Sequence, residues 1–185
     1  MSGTGPKAGG PNYLLRLRQG SLSQTRPPPG SEIDGATLQR ALDAMAFPGD
    51  ADISKYIELP GPTGESNRLL LHPRGIILCL GPTFETASIQ ARTALESGCS
   101  ALIVAPGASV ARDEFQAGPD RLQALDGVAP PQSLAALNRV NAVALWADSE
   151  TSRRYREILS ARDGPIIPLL VGAGEAYGYT VERHI

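Results

Sequence analysis

Histidine, cysteine, aromatic side chains and excess charge are all scarce in this chain of 185 residues: two His, two Cys, 5% aromatics and a net charge of −2. The near-neutral balance leaves no electrostatic footprint for nucleic acid. No apolar run approaches the roughly 18 residues of a membrane span, so no transmembrane segment is expected. The first ten residues are polar and Gly-rich, unlike a secretory signal. Cys79 and Cys99 both lie in or beside apolar stretches. They read as buried free thiols of a cytoplasmic protein. With so few aromatics, Ala, Leu, Ile and Val must build the core.

What is present suits one globular domain, 42% hydrophobic and 19% charged. Residues 13–17 form a short apolar patch, and 19–30 read as a linker ending in Pro27-Pro28-Pro29-Gly30. Asp34 can cap a helix over 35–46, with Leu38, Ala41, Leu42 and Met45 on one face. The stretch 60–67 reads as a loop and 68–72 as a short strand. The apolar run at 75–80 predicts a strand buried on both faces. A helix over 84–97 follows, with Ala87, Ala91, Ala94 and Leu95 inward and Gly98 closing it. Residues 101–104 give a second buried strand, completing a βαβ unit. Short helices are expected near 109–115 and 133–138. A third strand is expected at 142–146, a helix capped by Asp148 or Ser149 over 150–161, and a fourth strand at 166–171. The alternating end, 181–185, reads as a strand cut short. Such alternation predicts an α/β fold: a Rossmann-like, mostly parallel sheet with helices on both faces.

Candidate motifs are weak. A dinucleotide site wants G-x-G-x-x-G after the first strand, where backbone amides approach a pyrophosphate. The matching turn here, Gly81-Pro82-Thr83-Phe84-Glu85, has one glycine and a carboxylate where phosphate would sit. Lys7, in the Gly-rich start, is followed by Ala8 and has no strand before it, unlike a phosphate loop. His72 and His184, each at a strand edge, offer Cys79 and Cys99 no evident activating partner. Glu65, Asp113 and Glu114 read as solvated carboxylates, with no metal-ligand spacing. Asp148-Ser149-Glu150 reads as helix capping and dipole compensation.

Two strings carry a family resemblance. Ser2-Gly3-Thr4-Gly5-Pro6-Lys7-Ala8-Gly9-Gly10-Pro11-Asn12-Tyr13-Leu14 resembles the extreme C-terminal segment of the aldehyde dehydrogenase domain in proline utilization A. That bacterial bifunctional family oxidises proline to glutamate. Leu59-Pro60-Gly61-Pro62-Thr63-Gly64-Glu65-Ser66-Asn67, with His72-Pro73-Arg74-Gly75, resembles the stretch after that domain. Val181-Glu182-Arg183-His184-Ile185 is similar to the start of the family's terminal motif. The region from Arg74 to Pro106 resembles the cofactor-binding half of aldehyde dehydrogenases.

Departures from that pattern shape the functional expectation. The family's oxyanion-hole Asn is missing from Gly81-Pro82-Thr83-Phe84, and Ala105, before Pro106, stands for its ribose-contacting Lys. Its Gly-Ser turn becomes Asp148-Ser149, and its general-base Glu falls near Gly172 in Val171-Gly172-Ala173-Gly174. Its nucleophilic Cys belongs to a later domain. Losing such groups removes orders of magnitude in rate. The resemblance therefore implies the non-catalytic aldehyde-dehydrogenase-like domain of the long form of the family. No catalytic, cofactor-binding or metal residue is expected in this chain. FAD and NAD are implied for the parent alone. The implied partner is the aldehyde dehydrogenase domain of the same parent, where this domain stands in for a dimer partner and helps enclose a substrate-channelling tunnel. The expected organisation is a dehydrogenase tail over 1–20, a linker over 21–33 and the Rossmann-like domain over 34–185, with 1–30 poorly ordered in isolation. A degenerate nucleotide or effector module is the alternative.

Overall fold

The computed structural model describes residues 10, 13–14, 29–47, 56–61, 67–172 and 176–184. Most of the expected tail and linker lies outside these residues, as do Lys7 and Glu65. Within the expected linker, residues 31–33 run beside Val128. Ile33 N donates to Val128 O at 2.8 Å, and Val128 N to Ser31 O at 2.8 Å.

The described elements are α1 (Gly35–Asp43), β1 (Tyr56–Leu59), β2 (Asn67–Pro73), β3 (Ile76–Cys79), α2 (Phe84–Glu96), β4 (Ser100–Ala105), the one-turn α3 (Ala111–Glu114), β5 (Leu122–Asp126), β6 (Ala142–Leu145), α4 (Ser149–Ser160), β7 (Leu169–Val171) and β8 (Thr180–His184). Five strands form a parallel sheet in the order β5-β4-β3-β6-β7. The fold is α/β, as the alternation of apolar runs and amphipathic segments requires.

The continuous apolar runs are explained by burial on both faces. Ile76 and Leu78, Leu102 and Val104, and Val143 and Leu145 point to one side. There they meet Leu38 and Leu42 of α1, Tyr155 and Leu159 of α4, and Leu134. Ile77, Cys79, Ala101, Ile103, Ala142 and Ala144 point to the other, against Ala87, Ala91 and Ala94 of α2. Small residues on both sides of that second interface let α2 lie close to the sheet.

Helix ends follow the local signals. Asp34 caps α1 by accepting from Thr37 N at 2.7 Å. Gly98 adopts φ +82 just after α2. Cys99 N donates to Ala94 O and Gly98 N to Leu95 O, the paired closure that satisfies the last carbonyls of a helix. Asp148, rather than Ser149, caps α4 through Thr151 N at 2.7 Å.

Several expectations need correction. The short strand expected at 68–72 is present and lies outside the parallel sheet. It is β2, central in a separate antiparallel sheet ordered β1-β2-β8. The alternating end is indeed a strand, and β2 is its partner. Neither β1 nor β5 was expected. Both lack a strong period: β5 reads Leu-Gln-Ala-Leu-Asp and lies at a sheet edge. The short helix expected near 109–115 is present as α3, entered through a 3-10 turn (Ala108–Val110), whereas the one near 133–138 is a single 3-10 turn, Pro131–Leu134. Helix α1 ends at Asp43, three residues early, and β7 is only Leu169–Val171, with Ile166 left 80% exposed before it.

Candidate functional site

In an open parallel sheet, ligands bind where the strand order reverses, at the C-terminal ends of the strands. Here that switch point lies between β3 and β6. The chain leaves β3 through Leu80 and Gly81, and leaves β6 through Trp146. Leu80 N donates to Ala144 O at 2.9 Å and Trp146 N to Gly81 O at 2.8 Å, so the ladder continues into the turn. Gly81 sits at φ +78, and a Cβ there would come within 2.5 Å of Thr83 O. Only glycine makes this turn without strain.

Two amides of this turn, those of Gly81 and Thr83, are already engaged by side chains. The Gly81 N–H donates to Oε1 of Gln90 at 3.0 Å, and Gln90 Nε2 reaches Gly81 O at 3.4 Å. Gln90 is completely buried, nearly two helical turns into α2. At the α2 N-terminus, Thr83 and Thr86 form a reciprocal capping box: Thr83 N donates to Thr86 Oγ1 at 3.0 Å and Thr86 N to Thr83 Oγ1 at 3.4 Å. Glu85 adds a carboxylate to the first turn. Across the crevice, Asp148 accepts from Thr151 N and from Thr151 Oγ1, the latter at 3.1 Å, and Glu150 follows it. These hydrogen bonds hold the Asp148 carboxyl below the usual carboxylate range, led by the one from the Thr151 amide. Both helix starts therefore carry their own negative charge, which opposes an incoming anion.

The other candidate positions sit at the same edge of the sheet. Ala105 ends β4, and its methyl group is buried on the α2 face. Gly107 N, just beyond Pro106, donates to Asp126 Oδ1 at 2.9 Å. Gly172 follows β7 at φ +137, and residues 173–175 lie outside the described set. Trp146 is half-buried at the crevice.

The thiols lie elsewhere. Cys79 is wholly buried, with its Sγ 3.9 Å from Ile77 O. Cys99 donates to Tyr179 O at 3.1 Å. Burial pushes both thiols up from their ordinary range, keeping them protonated and poorly nucleophilic. His72 pairs with Val181 in the small sheet. The backbone of His184 is part of β8, while its side chain and that of Asp113 lie outside the described set. Glu114 is exposed. Among the described residues, no group of three or more His, Cys, Asp or Glu could hold a metal ion, and no helix is long and apolar enough to cross a membrane.

Sequence reasoning missed Gln90. A signal existed, since it lies three residues after Ala87 and four before Ala94, on the stripe that packs against the sheet. It also missed Arg74. That side chain donates to Gly178 O at 2.7 Å and Thr180 O at 3.2 Å, clasping the chain as it enters β8.

Comparison with known proteins places the chain. It is 30% identical over 194 aligned residues to the bifunctional protein PutA of Klebsiella aerogenes, a match that takes in 90% of this chain and 14% of that protein. It is 31% identical over 191 residues to the PutA of Escherichia coli (strain K12), with the same coverage. The chain thus spans about 14% of the length of the curated relatives it matches. Its fold is similar to a crystal structure of a Bradyrhizobium japonicum proline utilization A point mutant. The TM-score is 0.51 and the identity 26%, covering 64% of this chain and 14% of that one. A proline utilization A structure with proline bound in remote sites is similar at TM-score 0.50 and 26% identity, with the same coverage. No protein-family model matches the chain.

Proposed function

For a chain homologous to a stretch of the bifunctional PutA proteins, we propose a structural, non-catalytic role within a cytoplasmic enzyme that converts proline to glutamate. In this reading residues 1–20 are the tail of the aldehyde dehydrogenase domain, 21–33 the linker and 34–185 the Rossmann-like unit. The unit packs on the dehydrogenase core and helps enclose the tunnel between the two active sites. The parent uses FAD for proline oxidation and NAD for the aldehyde step, and this chain holds neither. Channelling of a reactive intermediate needs a cover that keeps water out. A nucleotide fold with its crevice closed by its own side chains suits that purpose.

The observation that carries the reading is the Gln90 side chain on the Gly81 amide, flanked by two self-capped helix starts. A dinucleotide would have to displace a buried amide hydrogen bond and approach Glu85 and Glu150. Exposed apolar side chains on the small sheet, Ile57 at 52% and Leu71 at 38%, give the unit something to pack with. The test is removal of the unit from the parent enzyme. Coupled conversion of proline to glutamate should fall, while proline oxidation with an artificial electron acceptor persists. Unchanged coupled flux and stability would refute the structural role.

The alternative, a degenerate nucleotide or effector module, draws on one observation: the strand order retains a switch point with Trp146 beside it. Titration of the chain with NAD, followed by Trp146 fluorescence and calorimetry, separates the two. A flat response supports the cover, and a saturable one the module.

A further inference from the structure

At the end of the parallel sheet opposite the nucleotide crevice, the second half of α2 and the segment entering β5 border an open groove of about 420 Å³. That volume lies within the range of small-molecule sites. Leu95, Phe115 and Ala117 supply its apolar wall, and Arg92, Arg121 and Glu96 its polar groups. Arg121 is half-buried and firmly anchored. Its Nη2 donates to Gly98 O at 3.0 Å and to Cys99 O at 2.8 Å. Its Nε is buried out of reach of the groove, and no described residue accepts from Nη1. Arg92 is held over the groove by Phe115, with Cζ 5.2 Å from the ring centroid.

Two guanidinium groups and one carboxylate, Glu96, line the groove, with the Asp120 carboxylate beside Gly118 at its edge. The unengaged Nη1 of the half-buried Arg121 guanidinium leaves a charged donor for an anion. The C-terminal end of α2 would ordinarily repel an anion. Three of its last carbonyls are covered, since Thr93 O, Ala94 O and Leu95 O accept from the amides of Ser97, Cys99 and Gly98, and Arg121 covers Gly98 O and Cys99 O just beyond the helix. We propose that this groove binds a small organic monocarboxylate. The carboxylate lies between Arg121 and Arg92, and the hydrocarbon body rests on Leu95 and Phe115. A dicarboxylate would bring its second charge against Glu96, and an inorganic anion would leave the apolar wall empty. The site stands apart from the crevice, so it holds or fails independently of the structural role proposed above.

Benzoate, titrated into the chain and followed by amide chemical shifts, is the test, with benzamide and sulfate as parallel probes. Saturable millimolar binding of benzoate is expected, with shifts centred on Phe115, Ala117 and Arg121. Benzamide, sulfate and the Arg92→Gln variant should each bind about tenfold more weakly. Ala117→Leu, which fills the groove without touching the Arg121 anchor, should abolish binding while the rest of the spectrum is unchanged. Lack of saturation, equal affinity for benzamide or sulfate, or full binding by Ala117→Leu would each overturn the proposal.

Discussion

Replacing Gln90 with Glu exchanges one atom of the bond that closes the crevice. Protonated, a carboxylic acid can still accept from the Gly81 amide and donate to the Gly81 carbonyl. Ionised, it loses the donor and places a charge where the side chain is 0% exposed. Burial raises a carboxyl pKa by up to 3–5 units, and the retained Gly81 N–H offsets part of that rise. A net rise of about 3 units above the unfolded value of roughly 4.3, at 1.36 kcal/mol per unit, amounts to about 4 kcal/mol. The sign follows from linkage: the folded state binds the proton more tightly. Relative to the parent chain, stability is therefore intact below about pH 4.3 and lost as pH rises towards about 7. Guanidinium denaturation at several pH values, comparing Gln90→Glu with the unmodified chain, reads this directly. Midpoints should coincide near pH 4 and separate by neutral pH at an unchanged slope. Parallel pH profiles would mean that the new carboxylate finds water. The crevice would then be open, and the physical basis for a closed site would fail.

Three further outcomes follow from the same structure. Thr83→Ala removes the acceptor of the α2 capping box and should cost about 1 kcal/mol in urea denaturation; no loss would mean that Thr86 caps the helix alone. Ala91→Leu forces a larger side chain into the tight α2–sheet interface, where Ala91 is 0% exposed. It should cost about 1–3 kcal/mol, whereas Ile89→Lys on the exposed face should change the midpoint by less than about 0.5 kcal/mol. Tyr155 donates to Ala129 O at 2.5 Å, and burial pushes its pKa from 10.0 to about 12. Because the folded value is the higher, the stability linked to this group is whole below pH 10 and lost between pH 10 and about 12. Tyr155→Phe should flatten that part of the alkaline profile, and an unchanged profile would show that Tyr155 does not contribute to it.

Much of the parallel sheet was legible because its signals are local. The run into Cys79, the Ala stripe of α2, Gly98 after the helix and Asp148 before α4 each declare their role within a few residues. A strand buried on both faces must be apolar throughout, and a left-handed helix exit favours glycine. The candidate crevice was legible to the same depth: the turn at Gly81 and the carboxylates Glu85 and Glu150 are plain in the sequence, and so is their hostility to a phosphate.

What closes that crevice came only from the tertiary structure. Gln90 lies nine residues from the Gly81 amide it accepts from, and its polarity on an apolar stripe makes sense only once the turn folds over it. The membership of β2 was equally hidden. Read along the chain, it leads straight into β3, yet it pairs with β8 more than a hundred residues later, where Arg74 clasps the carbonyls of Gly178 and Thr180. The groove at Arg121 needs two segments brought together, 92–99 and 115–121. Helix periods, caps and buried runs are decided by neighbours in sequence, so the sequence alone determined them. Strand partnership, the closing of a backbone amide and the convergence of two guanidinium groups depend on residues far apart in the chain, and only packing brings those together.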